Sequence, residues 1–263
     1  MDQTKLSSWP RERFVAGNGD ATLYYRVYGN LDLSRPLSQI QYRCAGVPQG
    51  LELRRIDRTS PAFEEVLGEP MSKVLRQTFA QLDEEHEASQ NAVLMLGTFQ
   101  DPPTLDYFRD TIGLITWMLD SGGRFVYDPQ QLRCWSAEAW RKQVFDLARP
   151  APLLHCVVLV SEDDDGTRWY HTRGLRQYGR PDVSIRHVPE QFWAGAEEVC
   201  KRFIEYLAQG AVAEDGCEVR VRGFPRCAVR HAGGLEDPDF NNRHIEIDLV
   251  EDGQIAEGNG TCR

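Results

Sequence analysis

The chain has 263 residues, of which 41% are hydrophobic, and this length allows one large domain or two smaller domains with substantial cores. Its 40 acidic residues outnumber its 30 basic residues, which gives a formal net charge of −10. That charge argues against a general binder of nucleic acid or of anionic membranes, because both need a positive protein surface. It favours a basic protein as the partner, and charge that serves only solubility is the simpler alternative.

Compartment and cofactors follow from what the sequence lacks. Residues 1–6 contain no apolar stretch typical of a secretory signal, and the longest apolar helical run, residues 112–119, is too short to cross a bilayer. The seven cysteines include no Cys-x-x-Cys pair, so they indicate neither a disulfide framework nor a zinc site. We therefore expect a cytoplasmic protein with reduced and mostly buried cysteines, no membrane contact, no metal centre and no cofactor.

The N-terminal third is predicted to form a small α+β module. Residues 22–28 resemble a strand, and residues 71–82 carry apolar side chains at helical spacing. The polar stretch 83–91 then marks a domain boundary, or else a surface loop inside one domain. With a boundary there, the chain divides into an N-terminal module of residues 1–90 and a main α+β domain of residues 91–263.

The main domain is predicted to hold a mixed, largely antiparallel sheet with packed helices, so the fold class is α+β. Strands are expected at residues 92–96, 125–127, 153–160, 168–172, 217–221, 227–230 and 244–250. Helices are expected from Pro102 to Gly122, from a cap at Ser136 to about Leu147, and from near Pro189 to Gly210. Because residues 153–160 form an unbroken apolar run, this strand is predicted to lie in the middle of the sheet.

Binding chemistry is most concentrated in residues 169–182, where aromatic, imidazole and guanidinium groups lie between two glycines and a proline. If this segment begins as a strand, His171 and Arg173 share one face and could bind an anion or a carboxylate. The alternative is an architectural corner in which Arg173 or Arg180 pairs with Asp182. The candidate binding residues of this segment are His171, Arg173, Arg180 and Asp182.

Two acidic segments supply the other candidate binding residues. They are Asp163, Asp164 and Asp165 in a turn before Gly166, and Glu236, Asp237 and Asp239 in a later loop. The Asp-Gly sequence of the first segment predicts a β-hairpin. If the partner is basic, both acidic loops are expected to meet it and to speed association.

Residues 237–248 place oxygen-bearing side chains in the order of a calcium-binding loop, but Asn242 replaces the glycine that such a loop needs. A turn followed by a half-exposed strand fits the alternation better, with His244, Glu246 and Asp248 on the outward face. That outward row could serve acid–base or divalent-metal chemistry. No serine or cysteine lies in a recognisable nucleophile motif, and the glycines form no phosphate-binding loop.

The residues Thr172-Arg173-Gly174-Leu175 and Gly179-Arg180-Pro181-Asp182 follow the pattern T-x-G-L-x-x-x-G-x-P-[DE]. In this pattern the chain resembles an uncharacterised bacterial domain-of-unknown-function family, and the similarity extends over residues 92–249. Proteins of this type are similar in style to immunity and accessory proteins encoded beside bacterial toxins. The resemblance implies a shared corner and carries no catalytic residue.

The leading hypothesis is a non-enzymatic cytoplasmic binding protein, with an immunity protein that neutralises a basic bacterial toxin as the instance that the resemblance implies. The alternative is an enzyme or small-anion binder with a pocket around His171 and Arg173. Convergence of these side chains in a closed pocket would favour the alternative, and their dispersion over a convex surface would favour the binding protein. The sequence leaves the oligomeric state open.

Overall fold

The computed structural model describes residues 6–16 and 19–249, and the chain divides into two compact units. One unit comprises Met1–Pro10 and Ala21–Leu154, and the other comprises Arg11–Asp20 and His155–Arg263. The chain therefore does not divide after residue 90, where the sequence placed the boundary. The polar stretch there is largely a short helix, and the strand that follows it pairs on both sides within the sheet of the first unit.

The first unit is built on a five-stranded antiparallel sheet. Its strands are β1 (Ala21–Gly29), β2 (Leu51–Asp57), β3 (Asn91–Phe99), β4 (Gly123–Asp128) and β5 (Arg133–Ser136). Its helices are α1 (Gln39–Tyr42), α2 (Met71–Thr78), α3 (Leu82–Glu87), α4 (Asp106–Asp120) and α5 (Ala137–Trp140), with a π-helical turn at Arg141–Phe145 and 3-10 turns at Pro61–Leu67 and Pro152–Leu154. The strand order is β2-β3-β1-β4-β5.

Helix α4 packs on this sheet against β1 and β4. Ile112, Ile115 and Leu119 recur at helical spacing and are buried, as are all other residues of the helix from Tyr107 to Leu119. The helix ends before Gly122, whose φ of +101° suits glycine, and a Cβ there would lie 2.3 Å from the carbonyl oxygen of Asn30. This stop was predicted from the sequence, since glycine adopts the left-handed backbone without a steric penalty.

The second unit holds a six-stranded mixed sheet and one long helix. Its strands are β6 (Val157–Glu162), β7 (Arg168–Arg173), β8 (Asp182–Val188), β9 (Glu218–Val219), β10 (Cys227–Ala232) and β11 (His244–Leu249), its helix is α6 (Trp193–Ala208), and 3-10 turns lie at Leu175–Tyr178 and Glu190–Phe192. The strand order is β6-β7-β8-β11-β10-β9, with β8 and β11 parallel and the other pairs antiparallel. The predicted α+β class is confirmed.

Helix α6 covers one face of the second sheet, against β7 and β8. The buried residues Val199, Phe203 and Leu207 recur at helical spacing and form an apolar stripe on α6. The buried side chains of Tyr170 and Ile185 are directly paired across β7 and β8. Directly paired residues project to the same face of a sheet, so the next residues along each strand project to the opposite face. That opposite face carries His171.

The prediction of a central strand at residues 153–160 is wrong. The run is split between the turn Pro152–Leu154 and β6, and β6 forms an edge of its sheet. Its buried part, His155 and Cys156, precedes the strand, whereas Val160 is 48% exposed. A short apolar run suits an edge strand as well as a central one, because only the partner strands decide which position it takes.

Two predictions about the whole chain can be compared with the structure. Cys44, Cys134, Cys156, Cys200 and Cys227 are buried and not disulfide-bonded, as expected. Cys217 is disulfide-bonded, which corrects the expectation that every cysteine is reduced. Cys262 lies outside the described residues. Across residues 6–16 and 19–249, no helix combines the length and the apolar character needed to cross a membrane.

Candidate functional site

Asp182 lies at a corner between β7 and β8, where it is 1% exposed. Its carboxylate accepts hydrogen bonds from Thr172 Oγ1 at 2.9 Å, from the Leu175 backbone N–H at 3.3 Å and from Asn242 Nδ2 at 2.7 Å. Burial raises the pKa of Asp182 to about 7, against the opposing effect of these three donors. The carboxylate is thus committed to holding three chain segments together.

Arg180 is 2% exposed and donates to backbone carbonyls. Its acceptors are the carbonyl oxygens of Ala211 (3.1 Å), Gly179 (2.8 Å), Val15 (3.1 Å) and Gly210 (2.8 Å). Arg11 donates similarly to Ala208 and Leu207 in the last turn of α6. A cation at the C-terminal end of a helix satisfies its unpaired carbonyls and complements its dipole. The hydrogen bonds described here give the side chains of Arg180 and Asp182 different partners, and within residues 6–16 and 19–249 the side-chain pairing of Arg180 with Asp182 that the corner hypothesis allowed is not observed.

An aromatic–imidazole cluster occupies the face of the second sheet opposite α6. We define this His171 cluster as Trp169, His171, Phe240 and His244. The rings of Trp169 and His171 stack at 4.1 Å between centroids, and those of Phe240 and His244 stack at 4.0 Å. The two stacks contact each other edge to face, since the ring centroids of His171 and Phe240 are 5.5 Å apart and their planes are inclined by 71°. Two pairs of rings, from segments distant in sequence, thus form one packed unit.

Strand register explains why these residues meet. His171 on β7 pairs with Ser184 on β8, and Ser184 pairs with Glu246 on β11. Three neighbouring strands therefore project polar groups onto one face. Ser184 Oγ also accepts a hydrogen bond from Trp169 Nε1 at 2.9 Å.

His244 and Glu246 are buried, at 7% exposed each, so the outward row expected from the sequence is wrong for these two residues. The loop that carries Phe240 covers this face of the sheet. His244 Nε2 lies 3.2 Å from Glu246 Oε1, and its Nδ1 lies 3.6 Å from Asp237 Oδ2. Asp248 alone stays exposed, where it pairs with Arg230 at 2.8 Å.

His171 is 8% exposed, and its Nδ1 is a buried atom without a hydrogen-bond partner in the described part of the chain. Burial, aided by the nearby positive charge of Arg173, lowers the pKa of His171 to about 4. The imidazole is therefore neutral at pH 7. Arg173 itself is half-buried on the same face of β7, and its Nε is likewise buried without an acceptor.

Between about pH 6.5 and pH 4, we expect the free energy of unfolding to fall more steeply for the natural chain than for a His171→Gln variant. The unfolded chain takes up a proton near the ordinary imidazole pKa of about 6.5, whereas the folded chain resists protonation down to about pH 4. Each group of this kind contributes at most about 1.4 kcal/mol per pH unit. Urea unfolding across this pH range measures both slopes.

Asp182 acts with the opposite sign in the same pH range. Because its folded-state pKa is about 7, the folded chain keeps a proton that the unfolded chain has lost, and stability falls as the pH rises. The natural chain and the His171→Gln variant both contain Asp182, so the difference between their two slopes reports on His171 alone. Parallel slopes would contradict the buried neutral imidazole.

The acidic turn between β6 and β7 confirms the predicted hairpin and adds a residue that the sequence analysis missed. Ligand atoms of Asp163, Asp165 and His187 lie within 4.8 Å of one another, in a partly exposed group that could hold a divalent metal ion. His187 Nδ1 is 3.6 Å from Asp165 Oδ2. Asp164 is exposed on the same turn. No local pattern marks His187, because only the pairing of β7 with β8 brings it there.

The two acidic loops lie at opposite ends of the second sheet. The turn of Asp163–Asp165 adjoins the end where Arg168 pairs with Val188, whereas the later loop enters β11 at His244, which pairs with Asp182 at the other end. Glu236 and Asp239 are exposed in that loop, and Asp237 contacts His244. The two loops therefore do not form one continuous binding surface along a single edge of the sheet.

Comparison of the chain with protein-family models, with curated proteins and with solved structures finds no match. The resemblance carried by residues 172–182 accordingly stays a prediction from the sequence.

Proposed function

We propose that the protein is a binding protein whose second unit pairs an extended, basic segment of another protein with β6. The observation that carries this proposal is the exposed edge of β6, whose outer side meets no other strand of the described chain. An edge strand presents unpaired N–H and C=O groups that an added strand can satisfy. Val160, 48% exposed on this strand, supplies apolar surface for the added side chains.

The other three sheet edges carry features that discourage such pairing, which makes β6 distinctive. Strand β2 exposes Glu52, Arg54 and Arg55, and charged side chains on an edge oppose strand addition. Strand β5 has four residues and β9 has two, and short edge strands offer little to pair with. Strand β6 has six residues with the sequence VVLVSE, without lysine, arginine or proline.

Charge selects a basic segment over a second copy of this chain. Glu162 ends β6, and Asp163, Asp164 and Asp165 follow it directly, so an added strand would lie beside four carboxylates. Residues 150–161, which form β6 up to Ser161 and the segment before it, contain no lysine or arginine. If β6 of a second copy paired antiparallel with β6, this segment of the second copy would place no cation beside the four carboxylates. The net charge of −10 also makes two copies repel each other.

The resemblance of residues 172–182 implies that the basic segment belongs to a bacterial toxin. This part of the proposal rests on that resemblance alone. The competing hypothesis, an enzyme or anion binder around His171 and Arg173, needs space beside the imidazole. His171 instead stacks on Trp169 and meets the edge of Phe240. The side chains converge, but they pack against one another.

The test uses a fluorescent peptide of alternating lysine and valine and its glutamate–valine counterpart, with anisotropy and stopped-flow detection. We expect the lysine peptide to bind and the glutamate peptide not to bind. Val160→Lys should weaken binding about tenfold or more. It places a charge on the apolar edge and removes the valine side chain that the bound peptide would cover. The variant should fold, since Val160 is exposed.

Neutralising the acidic turn with Asp164→Asn and Asp165→Asn should mainly slow association, and the effect should shrink as the Debye length falls from ~10 Å at 0.1 M salt to ~3 Å at 1 M. Asparagine keeps an acceptor for the Thr167 N–H, which Asp165 Oδ1 accepts at 2.9 Å. Glu236→Gln with Asp239→Asn removes the same charge at the other end of the sheet and should have little effect. Failure of the lysine peptide to bind, or equal loss with both pairs, would refute the proposal.

A further inference from the structure

The first unit contains a cavity of about 380 Å³, which lies within the range of small-molecule sites. It is formed by the N-terminal segment, α1, α4 and the residues that follow α5. Apolar and aromatic side chains dominate its wall: Trp9, Ile40, Tyr42, Ile112, Phe145 and Leu147. Such a wall would bind the apolar part of a ligand.

Two arginines also line this cavity, and their environments differ. Arg109 is neutralised, because its guanidinium lies 2.8 Å from Asp110 Oδ1 and 3.2 Å from Asp106 Oδ1. Arg43 has no carboxylate within ion-pair distance among residues 6–16 and 19–249, and the cavity wall includes no acidic residue. Arg43 therefore supplies an uncompensated positive charge at an apolar wall.

The side chain of Arg43 is held in place at this wall. Its guanidinium lies 4.1 Å from the centroid of the Phe145 ring, and its Nη1 donates to the Leu147 carbonyl oxygen at 3.2 Å. The backbone of Arg43 has φ 49° and ψ 40°, a left-handed conformation that carries an energetic cost for a residue with a Cβ. Glycine or asparagine would avoid part of this cost, so the arginine side chain is present despite an unfavourable backbone.

We infer that this cavity binds a small organic carboxylate with an apolar tail or ring. The carboxylate would accept hydrogen bonds from Arg43, since a guanidinium matches the geometry of a carboxylate. The tail would pack against the aromatic and aliphatic wall. Ile40, 76% exposed at the cavity, would lose part of its contact with water when the tail is bound.

Isothermal titration calorimetry with octanoate, octanol and octylamine tests this inference on the full chain. Octanoate is expected to bind about tenfold or more tightly than either of the other two, which share its tail but lack its charge. Arg43→Gln should reduce octanoate binding to the level of octanol, and Arg43→Lys should restore part of the loss. Arg54→Gln, on the exposed surface of β2, is the matched control and should leave octanoate binding unchanged.

A second variant keeps the test independent of any effect of Arg43 on folding. Ile40→Ser replaces an exposed side chain and should weaken octanoate while leaving the thermal melting curve unchanged. The inference would be overturned by an absence of octanoate binding, by equal affinity for the three head groups, or by unchanged octanoate affinity in both variants.

Discussion

Replacing Asp182 with alanine is expected to lower the free energy of unfolding by about 3–5 kcal/mol. The change removes an acceptor from three buried donors, on Thr172, Leu175 and Asn242. Asn242 Nδ2 keeps its hydrogen bond to the Arg180 carbonyl oxygen, whereas Thr172 Oγ1 and the Leu175 N–H lose the acceptor they have in Asp182. Each unsatisfied buried donor costs about 1–3 kcal/mol, with partial relaxation reducing the total. Urea unfolding followed by circular dichroism measures the loss.

Asp164→Ala is the matched control for this measurement. Asp164 is exposed in the acidic turn, so its removal should change the unfolding free energy by no more than about 0.5 kcal/mol. If Asp182→Ala behaved like this control, the corner would not depend on its buried carboxylate, and Asp182 would again be a candidate for ligand binding.

Arg180→Met is expected to destabilise the protein by about 2–4 kcal/mol. Methionine fills much of the same volume but cannot donate, so the carbonyls of Ala211, Gly179, Val15 and Gly210 lose a buried donor. The loss falls just beyond the C-terminal end of α6, where unpaired carbonyls also need a positive partner. Thermal and urea unfolding should both register the change.

Arg173→Met provides the comparison within the same segment. Arg173 is half-buried, and its Nε has no acceptor among the residues that the structure describes, so its replacement should cost about 1 kcal/mol or less. Of the two arginines that the sequence offered for this corner, the structure thus gives the main structural role to Arg180. A larger loss for Arg173→Met than for Arg180→Met would reverse this assignment.

The pattern T-x-G-L-x-x-x-G-x-P-[DE] has a physical explanation in this chain. Thr172 donates to Asp182, and Leu175 is fully buried. Gly174 has φ +114°, and a Cβ there would lie 2.4 Å from the carbonyl oxygen of His155. Gly179 has φ +62° at the end of the 3-10 turn. The pattern therefore specifies a tight corner, and a chain can carry it without sharing a binding partner or a reaction.

The sequence by itself determined the features that depend on neighbouring residues. The hairpin at Asp163–Gly166 forms because glycine permits the φ of +80° found at Gly166. Helix α6 follows its apolar spacing and ends two residues before Gly210, which has φ +90°. Ser136 caps α5 as predicted, since its Oγ accepts from the Ala139 N–H at 3.1 Å. In each case the interaction lies within a few residues of chain.

Only the tertiary structure decided which strands lie at the edge and which faces are covered. Strand β6 has the composition of a central strand, yet β8 and β11 take the middle of the sheet through a parallel pairing between distant segments. The loop that carries Phe240 covers the face with His244 and Glu246, and the pairing of β7 with β8 places His187 beside Asp163. Alternation along a strand shows which side chains share a face, but burial of that face depends on segments far away in the sequence. The positions of β6, His244 and His187 could therefore not be predicted from local patterns.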